Sequence, residues 1–246
     1  MKIAFVVTAL LMQPLLAMPA LGGALEDRAS YLADVDAYAR CTVRNHHNSA
    51  RDMILSNVDN KSMERKFGDI YTEEPLAFVP NCRELILISR SVVIEPDAFR
   101  ASVAEVLVKK DHSDGAAGDF TNVLPLTHIQ AESDQAYNVK ISAAKFEKQR
   151  ARIKKSHDQD VSRSWLSVYG ECVVRFNTTA SRDWVVSKLG SAAEAEAISL
   201  IKPALSACLL EGEALTFDKY TLRGTLAINY YRMAMADGAT SKGSSN

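Results

Sequence analysis

The chain has 246 residues, 47% of them hydrophobic and 24% charged, with 29 basic side chains against 30 acidic ones. A net charge of −1 supplies no global field to draw nucleic acid or an acidic membrane, and 7% aromatic residues do not pave a sugar-binding groove. The length admits one large domain or two small ones.

The first element is a targeting segment. Lys2 provides a positive start, Ile3–Leu16 is apolar until Gln13 and Pro14, and the run Ala20-Leu21-Gly22-Gly23-Ala24 follows. A cut after Ala24 places small side chains where a signal peptidase needs them, so residues 1–24 are expected to be a signal peptide. The stretch is too short, and too broken by Pro14 and Pro19, for a membrane anchor. No later stretch approaches the length of a span. The expected address is the periplasm or the exterior, where the four cysteines favour disulfides. None of their spacings is Cys-x-x-Cys, so neither a zinc site nor a thioredoxin-like site is expected.

The chain repeats itself. Sliding it by 131 residues lays Tyr38–Ser56 over Tyr169–Ser187 with seven of nineteen positions identical, where about one match is expected by chance. The matches are Tyr38/Tyr169, Cys41/Cys172, Val43/Val174, Arg44/Arg175, Arg51/Arg182, Asp52/Asp183 and Ser56/Ser187. With shorter spacing in the second copy, Cys82 falls over Cys208, and Phe99-Arg100-Ala101 falls over Leu222-Arg223-Gly224. The expected organisation is a first helical repeat over 25–110, a connector over 111–163, a second repeat over 164–235 and a loose Gly- and Ser-rich tail over 236–246.

Local patterns within each copy are helical. Leu32, Val35, Ala39 and Val43 form one stripe, and Trp165, Val168, Tyr169, Cys172 and Phe176 form its counterpart. Pro96 opens a helix carrying Phe99, Val103 and Leu107, and its partner carries Leu222, Leu226, Tyr230 and Met233. Ser191 and Glu194 form a capping-box pattern ahead of an Ala- and Glu-rich run, which Pro203 is expected to bend or restart. Short β-prone runs, Val92-Val93-Ile94 and Leu215-Thr216-Phe217, allow a small bridge. The fold class is therefore mainly α: two tandem disulfide-closed helical repeats packed as a pseudo-symmetric pair. Four cysteines allow three connectivities. A repeat that once folded alone had only its own two, so Cys41–Cys82 and Cys172–Cys208 are expected.

The segments Tyr169-Gly170-Glu171-Cys172-Val173-Val174-Arg175, Ala207-Cys208-Leu209 and Leu222–Arg232 resemble a pattern of uncharacterised exported proteins of alphaproteobacteria. The resemblance implies a bacterial envelope setting and brings no activity or catalytic residue. Phe99-Arg100-Ala101 departs from the Leu-Arg-Gly opening, so a site on that helix could belong to the second copy alone.

Nucleophile elbows, His-Glu-x-x-His, phosphate-binding Gly loops and a Ser-x-x-Lys paired with a Lys-Thr-Gly are all missing from the sequence. No metal or cofactor is expected. His46-His47 reads as a polar segment before a helix, since adjacent side chains diverge by about 100° on a helix. His112, His128 and His157 fall in the connector with nothing nearby in sequence to complete a site. The basic run Lys145–Lys155 reads as a solvated connector rather than an anion- or lipid-binding stripe.

The charged residues that recur are Arg44/Arg175, Arg51/Arg182, Asp52/Asp183 and Arg100/Arg223. A guanidinium offers a planar donor fork, so the arginines form either a pocket for an anionic ligand or struts tying each repeat to carboxylates and carbonyls. The strut reading is preferred. The expected function is a non-enzymatic exported binding or structural module, partnered by another envelope protein or an anionic small ligand. The alternative is an exported hydrolase of unrecognised type, which a deep cleft with two acids or a buried acid–base pair would favour.

Overall fold

The computed structural model describes residues 21–71, 82, 94–113, 117–209 and 218–243. They form helices and irregular segments, with no strand among the described residues. Helix α1 spans Leu21–Asn45, α2 His47–Ser56, α3 Asn60–Lys66 and α4 Pro96–Asp111. Helix α5 spans Asp134–Ala143, α6 Glu147–Phe176, α7 Thr178–Val186, α8 Ala192–Ala207 and α9 Lys219–Gly243. The expected signal peptide lies largely outside the described residues, although α1 begins at Leu21, ahead of the expected cut. Val92-Val93 and Leu215-Thr216-Phe217, the candidate bridge, also lie outside.

Helix boundaries follow local chemistry. Asp59 caps α3 by accepting from the Ser62 amide at 2.7 Å, and Asn177 caps α7 through the Ala180 amide at 3.0 Å. Pro96 starts α4 where no intrahelical amide is required. Asn57, at φ 48°, ends α2 in the left-handed region that Asn tolerates. The Ser191 hydroxyl accepts from the Glu194 amide at 3.1 Å as the capping box requires. The return bond differs from the expectation: the Glu194 carboxylate accepts from Gly190, at 2.7 Å, not from Ser191. Pro203 neither restarts nor ends α8, which continues to Ala207 with the proline ring exposed.

Helices α4 and α9 form the centre. Phe99, Val103 and Leu107 on one and Leu222, Leu226, Tyr230 and Met233 on the other are buried as their stripes predicted. Each is worth about 1.5–3 kcal/mol of apolar burial. The two helices run in the same sense, because Ala101 faces Gly224 near their starts and Asp111 meets Tyr231 further along both. Helix α1 packs on α4, and α6 packs on α9. The predicted α6 stripe is rotated: Val168 and Phe176 are exposed, whereas Tyr169, Gly170, Val173 and Val174 face the core. Gly170 permits this, since a Cβ there would stand 2.5 Å from the Thr225 side chain.

Both disulfides join the expected pairs, Cys41–Cys82 and Cys172–Cys208. The first is buried, while Cys172 is exposed. Helix α6 passes through position 163 without a break, so the end of the connector is continuous with the helix that follows. Helix α9 reaches Gly243, making the described part of the expected loose tail helical. No described helix is long and apolar enough to cross a membrane.

Candidate ligand groove and its arginines

A groove of about 1380 Å³ opens along the α4–α9 pair. Its floor comes from Glu95 and the α4 residues up to Lys109 and from Tyr220–Asn229 of α9, flanked by Arg28–Arg40 of α1 and Ala151–Ser167 of α6. Tyr31, Leu32, Leu166 and Ile228 give it apolar walls. Lys154 and Lys155, from the basic run expected to be merely solvated, also line it.

Most charges in this groove are already paired. Arg163 makes a two-pronged bond to Asp97, at 2.9 Å on each side, and a third to Asp160. Burial would lower the pKa of Arg163, but these carboxylates outweigh it and hold the guanidinium above its ordinary value. Arg28 bonds Asp218, Arg40 bonds Asp36, and Lys154 bonds Asp158.

The recurring arginines divide into different roles. Arg223, 1% exposed, donates from Nε to Glu105 at 2.8 Å and from a terminal nitrogen to the Val185 and Ser187 carbonyls at 2.7 Å. Glu194 stands 3.5 Å from its other nitrogen. Arg223 is a strut. Arg175 is another: it bonds Glu171 at 2.7 Å and the carbonyls of Phe120, Val123 and Leu124 at 2.9–3.0 Å. Arg51 and Arg182 each hold the aspartate that follows, Asp52 and Asp183. Arg44 departs from the strut expectation, standing exposed in the last turn of α1 with no side-chain partner among the described residues.

Arg100 lines the groove and is 5% exposed, yet no carboxylate bonds it among the described residues. One terminal nitrogen reaches Asn60 at 3.4 Å and the Met63 sulfur at 3.3 Å, and its buried Nε has no partner among the described residues. Burial pushes this guanidinium down to about 10 against the opposing pull of Asp97. A desolvated cation without a bonded anion is costly.

Sequence reasoning missed a second constellation. His128 Nε2 lies 2.6 Å from the buried Glu171, which also accepts from Arg175 and the Leu126 amide. The two residues are 43 positions apart, and no local pattern announces the pairing. It pins the irregular segment 117–133 to α6, aided by Arg232 on the Thr127 carbonyl at 2.6 Å. Neither His128 nor Glu171 lines the groove. His47, read as a polar position, bonds Asp111 at 3.1 Å, and His157 stacks on Tyr137 at 4.0 Å. No group of three metal-ligating side chains occurs among the described residues.

The chain matches no protein-family model, no curated protein and no solved structure.

Proposed function

We propose that this chain is a periplasmic or secreted binding module without enzymatic activity, built from two copies of one disulfide-closed helical unit. On this reading, the groove on the α4–α9 pair is its ligand site. The observation that carries the proposal is the convergence of four helices on an open, largely apolar groove whose floor holds a buried guanidinium that no carboxylate bonds among the described residues. Sites for small molecules have that composition: apolar walls and a few placed polar groups.

The tandem reading draws support from matching breaks and crosslinks. The α1–α2 junction at residues 45–47 and the α6–α7 junction at 176–178 differ by the same 131-residue slide that aligns the sequences. Each candidate unit closes one disulfide, and each carries one Arg-Asp clasp. The exported setting rests on Lys2, the apolar run after it and the two disulfides, and it accords with the alphaproteobacterial resemblance.

The hydrolase alternative has one observation in its favour, the buried His128–Glu171 pair. Glu171 already accepts from His128, Arg175 and the Leu126 amide. A carboxylate so engaged clamps a loop and has little capacity left to take up a substrate proton.

Two measurements test the proposal. Mass spectrometry of the native protein should find a mature N-terminus near Leu25. Intact Met1 on the bulk of the protein would defeat the exported reading. The neutral fluorophore N-phenyl-1-naphthylamine should brighten on the folded protein and be excluded by Ser162→Trp or Ser102→Trp, which fill the groove from wall and floor. No brightening, or brightening that both variants leave intact, would remove the groove as the binding site.

A further inference from the structure

Arg100 and Arg223 fall on one another in the repeat, but their Nε atoms differ in what they meet. Arg223 Nε donates to Glu105, at 2.8 Å; Arg100 Nε is buried and donates to no described residue. Glu105 lies five residues after Arg100 on α4, and the same offset from Arg223 on α9 is Ile228. On the two-copy reading, the carboxylate that would complete the equivalent pair is replaced by an apolar side chain, and Ile228, like Arg100, lines the groove.

From this we propose that the groove takes a single-chain amphiphile with an anionic head, whose carboxylate or phosphate supplies the partner missing from Arg100. The inference rests on the groove being the ligand site. Charge balance favours an anion: once the internal ion pairs are formed, Arg100, Lys155 and Lys188 remain without bonded carboxylates among the described residues, against Glu95 alone on the acidic side. The apolar walls, with Tyr31, Leu32, Leu166 and Ile228, match a hydrocarbon tail. A buried guanidinium suits the head, because its fork bonds two oxygens at once and the dry surroundings strengthen each bond. Arg163 does not compete for the head, as Asp97 and Asp160 already occupy it.

The test is displacement of N-phenyl-1-naphthylamine by dodecanoate, dodecyl phosphate and the uncharged dodecanol. Both anions, or one of them, should displace the dye at least about tenfold more effectively than dodecanol, the value of a charged hydrogen bond. The better of the two identifies a fatty carboxylate or a lipid phosphate as the source. Arg100→Met should abolish the preference for the anion while the ligand-free protein melts no lower than wild type. Ile228→Glu should complete the internal pair, raise the melting temperature and exclude dodecanoate. Equal displacement by anion and alcohol in the wild type would overturn the head-group assignment while leaving the groove intact. Dye that never binds would instead defeat the groove reading itself. Should Arg100→Met not fold, the wild-type comparison and Ile228→Glu decide the matter. An Ile228→Glu protein that still prefers the anion would overturn the assignment.

Discussion

Ala101 and Gly224 face each other where α4 and α9 cross, so closely that a Cβ on Gly224 would stand 2.3 Å from that of Ala101. They are also the positions that the repeat places in register, as a two-fold relation between the proposed copies requires. Gly224→Ala should destabilise the protein by about 1–3 kcal/mol through overpacking. Ala101→Gly alone should cost about 1 kcal/mol in helix propensity. Combining them should restore most of the loss from Gly224→Ala, because the one Cβ is transferred across the crossing. Thermal melts of the four proteins measure the coupling, and strict additivity would argue against a symmetric crossing.

The arginines Arg44 and Arg175 occupy matching places but should respond differently to removal. Arg175→Ala strips donors from three carbonyls and from the buried Glu171, and should cost about 2–4 kcal/mol. Arg44→Ala, at an exposed position, should stay within about 0.5 kcal/mol of wild type. Urea unfolding of both variants provides the comparison.

Exposure also separates the disulfides. Each closes a loop worth about 4 kcal/mol in the chain-entropy model. Cys172 is exposed, whereas Cys41 and Cys82 are 2% and 0% exposed. Mild reductant under native conditions should open Cys172–Cys208 first. Alkylation followed by peptide mapping should label Cys172 and Cys208 before the other two. Simultaneous labelling would mean that the protein opens globally before either bond is reached.

Glu194 predicts an acid-side loss of stability. Burial opposes its ionisation, but the Gly190 amide and nearby Lys219 outweigh that and hold the carboxyl below its ordinary 4.5. Its contribution is therefore present in full above 4.5 and disappears as pH falls through the lowered value. Glu194→Gln should lower stability at neutral pH by about 1–3 kcal/mol, with the gap to wild type closing below pH 4.5. Denaturant melts across pH 3–7 would show the gap; one that persisted undiminished at low pH would assign the effect to packing.

The sequence was most informative where the signal was periodic. The stripes of α4 and α9 were legible because Phe99, Val103, Leu107 and Leu222, Leu226, Tyr230 recur at helical spacing and face one core. The α6 face was misplaced by its exposed apolar residues: Val168 and Phe176 extended the wrong stripe, while Gly170, which permits the close approach to α9, carries no hydropathy signal. The His128–Glu171 clamp was illegible, since neither partner lies in a pattern that brings the other near. The arginines were recognised as a set but not sorted. What distinguishes Arg100 from Arg223 is the environment supplied by other helices, and its one trace in the sequence is that Glu105 stands five residues after Arg100 but Ile228 five residues after Arg223.

The central claim is that ligands enter the groove between α1, α4, α6 and α9. Backbone amide chemical shifts of the isotope-labelled protein, recorded while dodecanoate is added, test it most directly. The account predicts saturable shifts concentrated in residues 28–40, 95–109, 151–167 and 220–229. Shifts confined instead to the exposed apolar positions Leu124, Phe176 and Leu200, or no saturable shift at all, would contradict it.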